Sequence, residues 1–149
     1  MMYEFKNPSL VTRIAIGKLI GLVFGLIGFV SIPMISPDID PMLRWGFLFW
    51  YVTVGAVVGM MGVMSWHPIV NMPLPWWFRG PWIGGWMNFV LVFFAYDALA
   101  KIMLDFFGPG ALMQSPFWFV AEGVCFGLIV GYIATRFGGE GREAVDQPA

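Results

Sequence analysis

Asp97 and Lys101 stand four positions apart in "AYDALAK", residues 95–101, and Glu122 follows in "PFWFVAEGV", residues 116–124. Both stretches are otherwise almost free of charge. A four-residue spacing puts acid and base on one helical face, with the acid on the N-terminal side, which is the favourable order. An unpaired charge in apolar surroundings costs several kcal/mol, so each of the three must be paired, protonated or turned to water. Such a trio has two uses. It can pin helices together as an ion-paired cluster, or it can handle protons or cations at an intramembrane acidic site.

Other chemistry has little to stand on. The chain holds one histidine, His67, and one cysteine, Cys125. There is no paired-histidine metal motif, P-loop, GxSxG elbow or neighbouring Cys–His pair. No catalytic residue, metal site, disulfide or cofactor is assigned from the sequence. Acid–base catalysis by Asp97 and Glu122 would need a substrate pocket that no motif identifies. With a net charge of −1 and no basic cluster, nucleic acid is not an expected partner.

The elements that carry these residues follow from composition. Of 149 residues, 59% are hydrophobic and 11% charged, with a mean hydropathy of +0.78. Soluble domains carry about 25% charged residues, so this chain cannot clothe a water-facing surface. A lipid bilayer is the expected partner of the excess. Four apolar runs, about 14–35, 45–64, 82–104 and 116–135, are each near the roughly 20 helical residues that cross a bilayer core. The expected fold is an all-α integral membrane protein, a four-helix transmembrane bundle over residues 14–136. Residues 1–13 form an N-terminal segment and 137–149 a flexible tail, both cytoplasmic. The first run is longer than a signal-peptide core and lacks a clear cleavage site, so it reads as a retained helix.

Short connectors join spans one to two and three to four into antiparallel hairpins. An even number of spans leaves both termini on one side, with Lys6, Arg13, Lys18, Arg79, Arg136 and Arg142; the other side keeps Arg44 and Lys101. That bias puts the termini in the cytoplasm. A bacterial inner membrane is the expected location. A shift of 68 residues lays "FWYVTVGAVVG" over "FWFVAEGVCFG", which raises a parallel duplication of one hairpin.

Small residues supply the packing signal. Gly17, Gly21 and Gly25, Gly55 and Gly59, and Gly123, Gly127 and Gly131 recur every four residues, and so open one face of each helix to another backbone. Trp66, His67, Trp76, Trp77, Arg79, Trp82 and Trp86 crowd around the Pro-rich connector "SWHPIVNMPLPWWFRGPW" and read as an interfacial belt. The prolines there argue for an irregular cover along the cytoplasmic face. Asn88 is read as interfacial too. Two functional classes remain. The first is a small structural or accessory membrane protein packed in a homo-oligomer or larger complex. The alternative is a subunit of a small transporter or ion or proton channel.

Overall fold

The computed structural model describes residues 9–145; the N-terminal segment before Ser9 and the last four residues lie outside the described part. Four helices form a bundle: α1 (Leu10–Ile35), α2 (Pro41–Met60), α3 (Trp76–Phe107) and α4 (Trp118–Gly138). Each start has a local cause. The Ser9 hydroxyl accepts from the Thr12 amide at 3.3 Å, and the Asp40 carboxylate accepts from Met42 N at 2.8 Å just ahead of Pro41. Serine and aspartate at the cap, with proline at the first helical position, satisfy amides that have no partner inside the helix. Gly108 and Gly139, both with positive φ, end α3 and α4.

Neighbouring helices run antiparallel, and the glycines fix how closely. A Cβ on Gly17 would fall on the Gly55 carbonyl, and one on Gly21 on the Tyr51 carbonyl; at Gly59 it would meet the Arg13 carbonyl at 2.5 Å. The second hairpin does the same through Gly84 against Gly123 and Gly80 against Gly127. The two registers match. Gly80, Gly84 and Asn88 stand 67 positions after Arg13, Gly17 and Gly21, while their partners Gly127, Gly123 and Phe119 stand 68 after Gly59, Gly55 and Tyr51. One residue fewer on the first-helix side hides the correspondence between α1 and α3 from any single sequence shift.

Between the hairpins sits a core of two clusters. Tyr51, Val54, Val58, Phe126 and Val130 fill one; Ile32, Phe47, Leu91, Val92, Leu99 and Ile102 fill the other. The outer surface is unlike that of a water-soluble protein. Leu19, Val23, Ile27, Val30, Phe49, Trp82, Phe93, Phe94 and Tyr132 are among many large apolar side chains left exposed. Three helices are long and apolar enough to cross a membrane: α1, α2 with its short continuation to Val63, and α4.

Three sequence expectations change. Span three does not start at Trp82, because α3 is already helical from Trp76, with Pro75 as its cap and Pro81 inside. Proline near a helix start removes one hydrogen bond, and the tight contacts of Gly80 and Gly84 with α4 offset that loss. The connector is no cover. Residues 65–74 fold on themselves as a largely exposed hairpin-like turn, closed by Leu74 N on Ser65 O at 2.9 Å and His67 N on Met72 O at 2.9 Å. Its tip is Asn71, with a φ of 55°. The expected flexible tail is fastened as far as Val145: Gly141 N donates to Gly62 O at 3.0 Å, residues 142–144 make a short 3₁₀ turn, and Ala144 is buried.

Candidate functional site

Among the described residues, four polar side chains are buried, Arg13, Ser36, Arg79 and Asn88, and the polar contacts fall at three levels. At the level where α1 begins and α4 finishes, Arg13 is only 1% exposed. Its Nε donates to Gly59 O at 2.9 Å and one terminal nitrogen to Thr135 Oγ1 at 3.2 Å and to the Gly139 carbonyl. Gly62 and Gly138 leave the room its side chain occupies. Arg79, 5% exposed, donates to Met64 O at 2.9 Å, Leu74 O at 2.7 Å and the Glu140 carboxylate at 2.8 Å. Arg79, expected at the interface, has its guanidinium turned into the fold, where it is held by two backbone carbonyls and a carboxylate. Sequence reasoning used Arg13 only in the charge count, although Gly62 and Gly138, which make room for its side chain, were available as a signal.

At mid-height, Asn88 is fully buried and ties three helices together. Its Nδ2 donates to Phe119 O at 2.8 Å and to the Tyr51 hydroxyl at 3.4 Å, and its Oδ1 accepts from Trp50 Nε1 at 3.1 Å. It is not interfacial. Trp50 likewise turns inward, unlike Trp45, Trp66, Trp77, Trp82, Trp86 and Trp118, which are exposed, and Trp76, which is half-buried. Beside Tyr51, facing the same cavity, lies half-buried Glu122.

Glu122 and Tyr51 line a cavity of about 210 Å³. Phe24, Gly28, Ser31 and Ile35 of α1 form one wall at helical spacing; Phe47 of α2, Ile102 of α3 and Phe119 of α4 complete the apolar lining. A Cβ on Gly28 would have no neighbour nearer than Ile32 Cδ1 at 4.0 Å, so that wall is open where the side chain is missing.

At the far level, Lys101 Nζ is 3.0 Å from Asp105 and 4.0 Å from Asp38, and Ser36 Oγ donates to Asp105 at 2.5 Å. The three residues grouped by sequence thus have different surroundings. Lys101 belongs to Asp105 and Asp38, Glu122 to Tyr51, and Asp97 is exposed on α3, two residues past Ala95, where the helix is interrupted by a φ of −120°. Glycine placement is direct: each of the eight glycines named from the sequence meets the backbone of a neighbouring helix, and Gly80 and Gly84 join them. His67 uses Nδ1 to accept from the amides of Ile69 and Val70 at 3.2 and 3.1 Å, which makes it the organiser of its own turn.

Among the described residues, no buried side-chain nitrogen or oxygen lacks a partner. What the geometry defines is a class, a tightly packed four-helix bundle with an apolar exterior and a few buried polar side chains in a mainly apolar core. Searches of protein families, curated proteins and solved structures find no match to this chain. Its reading rests on its own geometry.

Proposed function

We propose that this chain is a four-span integral membrane protein of structural or accessory type, which holds a compact bundle in the bilayer and assembles with itself or a larger membrane complex. The carrying observation is an apolar exterior combined with a few enclosed polar groups. Arg13, Ser36, Arg79 and Asn88 are buried, while large apolar side chains cover the outside. In water that surface would be severely unfavourable; in lipid it costs nothing, and the enclosed polar groups are then the ones that need partners.

The third helix is less apolar than the others, yet 32 residues extend about 48 Å. It lies against α4 from Gly80 to Asn88 at backbone distance, so a bilayer that contains α4 contains α3. Four crossings leave both chain ends on one side, and the Lys/Arg bias favours the cytoplasm. The accessory reading is preferred over a channel because the polar groups at both ends are engaged in contacts within the fold, Arg13, Arg79 and Glu140 at one and Ser36, Asp105 and Lys101 at the other.

The test combines extraction and mass. The protein should stay with membranes in alkaline carbonate and leave only in detergent. Native mass spectrometry from lipid nanodiscs should then give a multiple of the chain mass or a complex with other subunits. Release by carbonate would end the membrane reading. A monomer without companions would end the assembly reading.

A further inference from the structure

The cavity beside Glu122 combines a carboxyl group with four aromatic walls, a pairing that packing alone does not require. We propose that it is a binding site for a small organic cation, an ammonium ion carrying short alkyl groups, with Glu122 as counter-ion. The proposal goes beyond the structural or accessory role and does not depend on transport.

Three observations carry it. First, the cavity is built: Phe24, Phe47, Tyr51 and Phe119 come from three helices and surround one space of about 210 Å³, roughly the room of seven waters at about 30 Å³ each. Second, the lining suits a desolvated positive charge. Ring faces attract cations, more strongly where water is excluded, and alkyl arms match Ile32, Ile35 and Ile102. Third, the charge is complementary and has no competing cation. Lys101 is committed to Asp105 and Asp38, Arg44 to the carbonyl and ring of Phe29, and Arg13 and Arg79 bind at the opposite end of the bundle, so among the described residues no basic group lines the cavity with Glu122. A hydrated metal ion fits poorly, because the polar lining amounts to one carboxyl, one phenol and Ser31, whose hydroxyl already reaches Gly28 O at 3.5 Å.

Tetraethylammonium is the probe, titrated calorimetrically into the full chain in nanodiscs made of zwitterionic lipid, against matched sodium chloride. Saturable binding with one site per chain is expected. Glu122→Gln should weaken it at least tenfold, and so should Gly28→Leu, which fills the cavity and keeps the carboxyl. Asp97→Asn, an exposed acid outside the cavity, should leave it unchanged. A second readout uses only the native chain: dicyclohexylcarbodiimide should modify Glu122, identified by peptide mass, and tetraethylammonium should slow that modification. No saturable binding to the native chain overturns the proposal. So does binding that survives Glu122→Gln and Gly28→Leu alike, or, should those variants fail to fold, carbodiimide labelling that the cation does not slow. None of these results would alter the outcome of carbonate extraction, so the site and the membrane reading fail separately.

Discussion

Arg79 and Glu140 meet at 2.8 Å although 61 positions separate them, and through this contact the segment after α4 is held against the start of α3. Glu140→Ala leaves a buried guanidinium with only two carbonyl partners. Hydrogen bonds to charged groups are worth about 1.5–3 kcal/mol, and a loss in that range is expected by reversible detergent denaturation. Adding Arg79→Met should cost less than the sum of the single changes, with a coupling of about 0.5 kcal/mol or more. Strict additivity would mean that the contact contributes no stability.

The glycine contacts divide sharply between crowded and open positions. Gly127→Ala puts a methyl group on the Gly80 carbonyl, where neither backbone can yield, and should cost about 1–3 kcal/mol, with Gly127→Leu worse. Gly46→Ala, with nothing within 4 Å, should be neutral or stabilising by up to about 1 kcal/mol through helix propensity. Thermal melts of both variants in one detergent check the contrast, and equal melting temperatures would contradict it.

Asn88 is the hub of the interior. Asn88→Ala strands the Trp50 N–H and takes a second donor from the Phe119 carbonyl, at about 1–3 kcal/mol for an unsatisfied buried group. Trp50→Phe removes the stranded N–H, so the double variant should be less damaged than the sum of the two. The measurement is a double-mutant cycle read from unfolding midpoints. A cycle that closes to zero would show that the tryptophan does not depend on Asn88.

Asp105 makes stability depend on acidity. The Ser36 hydroxyl first, and then Lys101, hold its carboxyl below the ordinary carboxylate value. A depressed folded value adds stability that is present above the unfolded value and is lost as pH falls through the folded one. Native protein should therefore lose melting temperature between about pH 5 and about pH 2 more steeply than Asp105→Asn, and the two curves should converge at the acid end. Parallel curves would show that Asp105 titrates as it does in the unfolded chain.

Helix number and hairpin pairing were legible because long apolar runs separated by Pro and Gly leave few alternatives. The glycine stripes were legible for a similar reason, since four-residue spacing means one face wherever the helix points. Rotational phase was not. When lipid covers the outside, the outer face is as apolar as the inner one, and the periodicity that orients a helix in a soluble protein disappears. That is why the inward turn of Asn88 was not foreseen, and why Lys101 was given to Asp97 and Glu122 although Asp105 is one turn further along the same helix. Arg13 and Arg79 were counted as solvated charges because a charge count records which side a residue is on and says nothing of depth.

Arg13 also sets an order of events. Its acceptors at Thr135 and Gly139 lie 122 and 126 positions later in the chain, so a ribosome delivers them last. Synthesis from the N-terminus can complete the α1–α2 contact early, with Gly17 already against Gly55. The guanidinium must meanwhile rely on Gly59 O and whatever water or headgroup it can reach. Until Thr135 and Gly139 emerge, the nascent first hairpin carries a charge that is only partly answered, and a polypeptide shortened at Ala134 would remain permanently in that state.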